Sequence, residues 1–290
     1  MFELGVIGDE ISQDFTHTLD VALELGLTYI ELRSLWGKNV VDLPWDDVRK
    51  AKKLLDARGL KVSAVAGPLY KTYINGRGRP GKGATFLAGD RPEEEHLDIL
   101  RRSIELALFF ETPIIRTFSF WREAEPTEDV FSRIAAKLEE PLRIAAREGV
   151  TLALENEHEC FAGTGAETAT LLTVLSRAGH SNLKVIWDPG NAFFLGERPY
   201  PDGYENVKQQ IVHVHVKDAR INPNTQKPEW APVGRGHVDF KGQLATLAAD
   251  GFSGVVSLET HFVPPGGTSE EGTRESFRGL MDSLRSVGLR

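Results

Sequence analysis

The stretch HVHVKD, residues 213 to 218, combines metal-binding residue types with an apolar strand pattern. His213 and His215 are two positions apart, so their side chains share one face of an extended strand. The stretch is either a buried strand with incidental polar residues or the wall of a metal site. It does not separate these alternatives by itself, so the decision depends on which other polar residues reach the same place.

Three acidic residues stand at comparable positions, each at the end of a short apolar run. VTLALE ends at Glu155, LKVIWD at Asp188 and VVSLE at Glu259, while IVHVH ends at His215. Because side chains alternate between the two faces of a strand, the parity of each run predicts that all four point inward at a similar height. Packed carboxylates repel one another unless a positive charge lies among them. Three carboxylates and one imidazole therefore predict one divalent metal ion, with Mn²⁺ favoured over Mg²⁺, Co²⁺ or Zn²⁺.

Other polar and aromatic residues are expected around these four. His213, one layer deeper, is either a support for this site or a buried core histidine, and the second interpretation is favoured. Arg116 and Glu31 end earlier strands and are expected to point into the same cavity. The tryptophans near strand ends either wall an apolar side of a bound sugar or pack in the core; they are Trp36, Trp121, Trp187 and Trp230.

The residues between these positions alternate between strand and helix patterns. Strands are predicted for 5–9, 27–33, 60–66, 113–120, 150–155, 183–188, 211–218 and 255–260. Helices are predicted for 15–26, 46–59, 92–111, 127–149, 165–179, 241–251 and 269–287, with a weaker pattern at 200–210. Strand followed by helix, eight times, predicts an α/β fold with a single (β/α)8 TIM barrel over residues 1–290. The main competitor is a doubly wound open sheet.

Composition restricts the class of protein. The 290 residues are 41% hydrophobic and 26% charged, and no segment approaches the roughly 20 apolar residues needed to cross a bilayer. The N-terminus lacks a signal-peptide pattern, so a cytoplasmic location without a membrane partner is expected. The single cysteine, Cys160, excludes an internal disulfide and a zinc-thiolate cluster. The net charge of −8 and the scattered basic residues predict no nucleic-acid partner.

Two further segments bear on the kind of ligand. No GxGxxG follows the first strand, because GVIGDEIS has the wrong spacing, and dinucleotide binding is therefore disfavoured. The long connection 67–91 is rich in glycine and basic residues. It is either an ordinary surface loop or a mobile cover over the C-terminal face of the barrel, where the active sites of this fold lie.

Five motifs together resemble the sugar phosphate isomerase/epimerase branch of the xylose isomerase-like TIM barrel superfamily. They are ALENEH at 153–158, WDPGN at 187–191, HVHVKD at 213–218, VGRGHVDFKG at 233–242 and SLET at 257–260. These motifs span roughly the C-terminal half, and the N-terminal half matches only in its order of strands and helices. The resemblance implies one divalent ion held by Glu155, Asp188, His215 and Glu259, with Glu155 and Glu259 as acid and base.

The chemistry implied is proton transfer beside a carbonyl. A Lewis acid on the carbonyl oxygen stabilises the developing enediolate, so that a carboxylate becomes a sufficient base. The predicted function is a divalent-metal-dependent isomerase or epimerase of a sugar, sugar phosphate or related keto-polyol. The alternatives are an inosose-type dehydratase on the same site and a non-catalytic sugar-binding barrel. An endonuclease IV-like enzyme is disfavoured because it requires a three-metal cluster with more histidines at strand ends.

Five residues are predicted to bind a carbohydrate substrate: Asn156, His158, Asn191, Lys217 and Arg235. Glu157 stands between Asn156 and His158, whereas relatives often place the histidine directly after Glu-Asn. Asn191 stands where the ketose 3-epimerase relatives carry a histidine. Lys217 and Arg235 either bind a hydroxyl, carboxylate or phosphate, or pair at the rim with Asp218 or Asp239. The sequence leaves the oligomeric state open and allows a homo-oligomer.

Overall fold

The strands of the protein form a closed parallel barrel with two added hairpins. The structure, a computed structural model, describes residues 2–74, 87 and 91–289. In chain order, the strands of this part are β1 (Glu3–Ile7), β2 (Tyr29–Leu32), β3 (Ser34–Leu35), β4 (Lys38–Asn39), β5 (Lys61–Val65), β6 (Ile114–Thr117), β7 (Thr151–Glu155), β8 (Lys184–Trp187), β9 (Ile211–Val216), β10 (Asp218–Ile221), β11 (Pro228–Ala231) and β12 (Val255–Leu258).

The barrel closes between its first and last strands. The order is β1, β2, β5, β6, β7, β8, β9 and β12, and β12 pairs in parallel with β1 from Glu3 opposite Val255 to Val6 opposite Leu258. This pairing excludes the doubly wound open sheet, because an open sheet leaves both edge strands unpaired. The predicted (β/α)8 TIM barrel is confirmed. The two antiparallel hairpins, β3 with β4 and β10 with β11, were not predicted.

Helices alternate with the barrel strands as the periodicity predicts. Those of the described residues are α1 (Phe15–Glu24), α2 (Trp45–Asp56), α3 (His96–Phe109), α4 (Glu128–Glu148), α5 (Gly165–Arg177), α6 (Pro189–Phe194), α7 (Tyr204–Val207), α8 (Phe240–Ala249) and α9 (Ser269–Ser286). The weak pattern at 200–210 corresponds to the four-residue α7 with short helical turns on either side. Helix α6 was not predicted, because its Asp-Pro-Gly beginning is typical of a turn.

Local signals explain where several helices begin and end. Thr164 and Thr268 form capping boxes with Glu167 and Glu271, in which each threonine accepts a backbone N–H and each glutamate accepts one in return. Gly149, with φ at 73°, ends α4 in the left-handed conformation that favours glycine. These caps fix the ends of the helices that pack around the barrel.

The two faces of the barrel strands differ in polarity as parity requires. Leu152, Leu154 and Leu258 belong to the apolar core. Glu155 and Glu259 have the opposite parity on the same two chain segments and are also buried. The barrel therefore separates an apolar layer under the helices from an interior that carries ionisable groups.

Two further expectations from the sequence concern membrane-spanning helices and the long connection 67–91. None of the helices in the described ranges is long and apolar enough to span a lipid bilayer. The connection 67–91, interpreted as either a surface loop or a mobile cover, lies largely outside the described residues.

Candidate metal centre and cavity

Glu155, Asp188, His215 and Glu259 converge at the C-terminal end of the barrel. One potential ligand atom of each lies within 4.8 Å of the corresponding atoms of the others, and all four side chains are buried. Nδ1 of His215 is 3.4 Å from Oε1 of Glu155, 3.3 Å from Oε2 of Glu259 and 3.8 Å from Oδ2 of Asp188. The barrel thus brings together the four residues that parity predicts, while their chemical roles stay predictions.

The ends of neighbouring strands position these side chains. Glu155 is the last residue of β7, Asp188 and Glu259 directly follow β8 and β12, and His215 is the next-to-last residue of β9. Asp188 also begins α6, where its Oδ1 accepts the backbone N–H of Asn191 at 2.9 Å. Gly190 is required in this turn, because a Cβ there would lie 2.2 Å from the backbone oxygen of Lys217.

The donor atoms of the cluster fit a divalent cation. Nδ1 of His215 is buried without a hydrogen-bond partner among the described residues, and the buried Oδ2 of Asp188 has an ion-pair contact with Nζ of Lys217 at 3.0 Å. Buried polar atoms usually have hydrogen-bond partners, so the imidazole nitrogen facing three carboxylates requires an explanation. Carboxylate oxygens and an imidazole nitrogen are ligands that Mg²⁺, Mn²⁺, Co²⁺ and Zn²⁺ accept. The donor set therefore fits one such ion.

Glu31 lies on the far side of the His215 ring. Nε2 of His215 is 3.1 Å from both carboxylate oxygens of Glu31, and Nε2 of His213 is 2.8 Å from one of them. A proton on Nε2 of His215 leaves the lone pair on Nδ1, which faces the cluster; carboxylates support metal-binding histidines in this way. Burial opposes ionisation of Glu31, but the two histidines hold its pKa well below the usual range. His213 is a buried core residue, as interpreted from the sequence.

Two arginines hold the glutamates of the cluster. Nη1 of Arg116 donates to Oε2 of Glu155 at 2.9 Å, and Nη1 of Arg33 donates to Oε1 of Glu259 at 2.7 Å. The other oxygen of each glutamate faces His215. Burial opposes ionisation of Glu155, but Arg116 holds its pKa below the usual range. An arginine therefore engages one oxygen of each carboxylate, and the other oxygen faces the cluster.

Arg33 was not identified from the sequence. Its Nε lies 3.0 Å from Asp9 and its Nη2 lies 2.6 Å from Glu10, and its side chain is only 3% exposed. The sequence did contain an indication that Arg33 points inward, because Arg33 shares the strand parity of Glu31 in LTYIELR. His261, two residues after Glu259, was also missed; its Nε2 lies 3.2 Å from Oε1 of Glu259.

Lys217 lies inside the cluster and not at the rim. Its Nζ is 3.0 Å from Oδ2 of Asp188 and 2.8 Å from Oε2 of Glu259, and the side chain is fully buried. The alternative that Lys217 pairs with Asp218 or Asp239 is wrong, because Lys217 shares the inward parity of His215. Asp218 instead accepts four backbone N–H groups, those of Ala219, Gly234, Gly236 and Val238.

The charges of the cluster are unevenly balanced. Burial raises the pKa of Asp188 to about 6, although Lys217 favours its ionised form. Burial also opposes ionisation of Glu259, yet Lys217, His261 and His215 together hold its pKa well below the usual range. Nearby cations therefore offset the cost of burying these carboxylates to different extents.

Of the five predicted substrate-binding residues, only His158 is among the described residues that line the cavity. The side chain of Asn156 is buried, where its Nδ2 donates to the backbone oxygen of Asp188 at 2.8 Å and its Oδ1 accepts the N–H of Asp188 at 2.7 Å. Asn156 thus joins the ends of β7 and β8 through the backbone of Asp188. Arg235 is exposed in the loop after β11 and is not among the described residues of the cavity wall.

His158 and Asn191 stand beside the cluster. Nδ1 of His158 is 2.9 Å from Oδ1 of Asn191, whose Nδ2 donates to Oε1 of Glu155 at 3.3 Å. Glu157 points toward the same cavity, 3.0 Å from Nδ1 of His158 and 3.6 Å from Nζ of Lys71. Burial lowers the pKa of His158, but the hydrogen bond and charge of Glu157 outweigh it, so the net shift is upward.

A cavity of about 360 Å³ opens above the cluster. Its wall includes Arg33, Lys71, Arg116, Glu157, His158, Trp230, Glu259 and His261. The volume lies in the range typical of small-molecule sites. Trp230 extends from β11, and its ring stacks on Phe194 with centroids 3.8 Å apart.

The other three tryptophans proposed as walls pack elsewhere. Trp187 is fully buried and donates from Nε1 to Oε1 of Gln243 at 2.9 Å. Trp36 packs edge-on against Phe15, and Trp121 lies in a small buried cluster with Cys160. Of these four tryptophans, Trp230 alone lines the cavity in the described part of the chain.

A closed parallel barrel with a buried cluster of three carboxylates and an imidazole at its C-terminal end defines a TIM-barrel protein with a candidate metal centre. The profile of the xylose isomerase-like TIM barrel family matches residues 19–283, and the chain belongs to this family. An uncharacterized protein of Methanocaldococcus jannaschii is 27% identical over 139 residues, which are 48% of this chain and 46% of that protein. The match thus spans about half the length of this curated relative.

Solved structures share the fold over nearly the whole chain. The IOLI protein with a bound zinc atom is 18% identical, with a TM-score of 0.73 and coverage of 99% of both chains. A D-tagatose 3-epimerase-like protein is 17% identical, with a TM-score of 0.72 and coverage of 99% of this chain and 98% of that one. The probable 3-DHS dehydratase AsbF of Bacillus anthracis is 17% identical, with a TM-score of 0.71 and coverage of 97% and 99%.

Proposed function

We propose that this chain is a divalent-metal-dependent isomerase or epimerase that acts on a sugar, a sugar phosphate or a related keto-polyol. One observation carries the proposal: the ligand atoms of Glu155, Asp188, His215 and Glu259 lie within 4.8 Å of one another beneath a cavity of about 360 Å³. The family and the D-tagatose 3-epimerase-like structure support the same class of reaction. We infer that Mn²⁺ is the preferred ion, although a similar structure holds zinc.

Glu155, Asp188, His215 and Glu259 would hold the ion. When bound there, a divalent cation supplies Lewis-acid stabilisation of negative charge on a substrate oxygen. Asp188 and His215 have their orientation fixed by backbone and Glu31 hydrogen bonds, which suits them to holding the ion rather than to moving protons. A proton on Nε2 of His215, held by Glu31, would leave Nδ1 to serve as a ligand.

Glu155 and Glu259 are the proposed acid and base. One removes the proton from a carbon beside the substrate carbonyl, and the other returns a proton to the resulting enediolate. Return to the neighbouring carbon gives isomerisation, and return to the opposite face of the same carbon gives epimerisation. Arg116 and Arg33 each engage one carboxylate oxygen, so the direction in which the remaining oxygen points is constrained. Trp230 offers an apolar face to the carbon–hydrogen side of a sugar.

A dehydratase is the second candidate, and His158 is the observation that favours it. His158 lines the cavity, and Glu157 raises its pKa, so it is suited to donate a proton. In an elimination, a glutamate takes the carbon-bound proton and the C–O bond to a β-hydroxyl breaks. The hydroxyl leaves as water after taking the proton of His158. The AsbF structure, named as a probable dehydratase, has the same fold.

Metal analysis and a substrate screen in D₂O test the proposal. Elemental analysis of the purified protein is expected to find one divalent ion per chain. Incubation with ketoses and inososes, followed by NMR, is expected to show deuterium at a carbon beside the carbonyl without loss of water. An enone or diketone product detected by ultraviolet absorption would instead support the dehydratase. Ligand binding that survives metal removal, with no exchange at any carbon, would indicate a sugar-binding barrel without catalysis.

A further inference from the structure

Lys217 brings an ammonium group to the atoms that would hold the metal ion. Its Nζ lies 3.0 Å from Oδ2 of Asp188 and 2.8 Å from Oε2 of Glu259. The same two oxygens face Nδ1 of His215, at 3.8 and 3.3 Å. Two of the four potential ligand atoms are therefore also partners of a lysine.

The fold determines this position of Lys217. Lys217 follows His215 by two residues, so both side chains leave the backbone on the inner side of the barrel. The lysine side chain is 0% exposed, and solvent is not an alternative partner for its charge. Two carboxylates within ion-pair distance favour the charged form of the amine. A positive charge is thus built into the wall of the candidate metal centre.

Lys217 also has a second partner that does not belong to the metal centre. Its Nζ lies 5.0 Å from the centroid of the Trp230 ring, within the range of a cation–π interaction. The flexible four-carbon stem of lysine permits its ammonium to exchange one partner for another. Trp230 therefore offers a place for the charge when Asp188 and Glu259 bind a different cation.

We propose that Lys217 competes with the divalent ion for Asp188 and Glu259 and thereby lowers the affinity of the centre for metal. The inference rests on the proposed metal centre and concerns how its affinity is set. An ammonium beside a divalent cation repels it, and the repulsion is stronger in a buried site than in water. Without Lys217, the same three carboxylates would present one more uncompensated negative charge to the ion.

Metal titration of variants tests this inference. Wild type, Lys217→Met and a control, Lys71→Met, are stripped with a chelator and titrated with Mn²⁺ by calorimetry. Lys71 is a matched control because it is a poorly exposed lysine of the same cavity that pairs with Glu157, outside the four proposed ligands. We expect Lys217→Met to bind Mn²⁺ at least about tenfold more tightly than wild type. Lys71→Met should stay within about threefold of wild type.

A thermal melt gives a second readout. In chelator, Lys217→Met should have a lower Tm than wild type, because the carboxylates lose their cation, and its rise in Tm on adding Mn²⁺ should be larger. If Lys217→Met does not fold, Lys217→Gln provides the same comparison with a neutral side chain that can still donate hydrogen bonds. Equal or weaker Mn²⁺ binding by the neutral variant overturns the inference alone. Failure of the wild type to bind any divalent ion overturns the proposed function as well.

Discussion

Nε2 of His215 lies 3.1 Å from both carboxylate oxygens of Glu31, and neither side chain is exposed. The two residues are 184 positions apart in the chain and belong to β9 and β2. This hydrogen bond leaves Nδ1 of His215 directed at Glu155, Asp188 and Glu259. Glu31 therefore orients the ring of His215, and through this ring it would act on the proposed metal centre.

Replacing Glu31 by glutamine should weaken metal binding. The glutamine amide keeps the shape of the side chain but loses the charge that supports His215, so the Kd for Mn²⁺ should rise about 10- to 100-fold. Calorimetric titration measures this change, and circular dichroism checks the fold. Glu270→Gln is the matched control, because Glu270 contacts His17 at 2.6 Å on the surface. Equal Mn²⁺ affinity in folded Glu31→Gln and wild type would refute the role of Glu31.

Glu155→Gln and Glu259→Gln should each abolish proton exchange. Removing a positioned acid or base typically costs about 10² to 10⁴ in rate, and each change also removes a proposed metal ligand. Deuterium incorporation is measured by NMR at saturating Mn²⁺ with the substrate found in the screen. Glu270→Gln is the control, because Glu270 pairs with His17 at the surface, away from the cavity and the cluster. Full exchange activity in both cluster variants would contradict the assigned roles.

Arg33→Met should strongly destabilise the protein. Arg33 contacts Asp9, Glu10 and Glu259 in a buried network, and removing one partner of buried charges typically costs about 3 to 5 kcal/mol. The free energy of unfolding is measured in urea. The control is Arg49→Met, because Arg49 pairs with Asp46 where both side chains are largely exposed. A surface pair of this kind contributes little, so the control should be nearly as stable as wild type.

Asn156→Ala should affect stability more directly than substrate binding. The side chain satisfies both the backbone N–H and the backbone oxygen of Asp188, and leaving these buried groups unpaired costs about 1 to 3 kcal/mol. Urea unfolding and Mn²⁺ titration should both show a loss, since Asp188 is a proposed ligand. Unchanged stability together with a raised KM would instead support the substrate contact expected from the sequence.

His96 should make stability depend on pH. Burial lowers its pKa from the usual 6.5 to about 4, and its Nδ1 accepts the backbone N–H of Tyr70 at 2.7 Å. Between these two pH values the unfolded chain binds more protons than the folded protein, so stability should fall as pH decreases from 6.5 toward 4. The loss attributable to His96 approaches about 3 kcal/mol.

His96→Asn isolates this contribution. The asparagine oxygen can accept the same N–H without titrating. The free energy of unfolding of wild type and of His96→Asn is measured in urea at pH 7 and at pH 4.5. Subtracting the value of one protein from that of the other at each pH removes the contributions of the carboxylates that both proteins share. Parallel pH profiles for the two proteins would show that His96 is not the titrating group.

The alternation of strands and helices was predictable because it depends on local patterns. Apolar runs such as VTLALE and VVSLE indicate strands, and their parity alone assigns Glu155 and Glu259 to the inner side. Sequential parallel strands then bring these ends together, as in a barrel. Helix α6 was missed because Asp188, Pro189 and Gly190 favour a turn by their local preferences.

Which cation meets which carboxylate depended on the tertiary structure. Arg33 and Glu259 are 226 positions apart in the chain and follow β2 and β12. They meet only because the barrel closes, which places β1 between β12 and β2. The partners of Lys217 and Asn156 could not be predicted for the same reason. Strand parity indicates the direction of a side chain but not which atoms lie within its reach. The sequence by itself thus determined the strand order and the inward acids and imidazole, through alternation along each strand. Only the closed barrel decided the ion pairs and hydrogen bonds, because these depend on distances between residues remote in the chain.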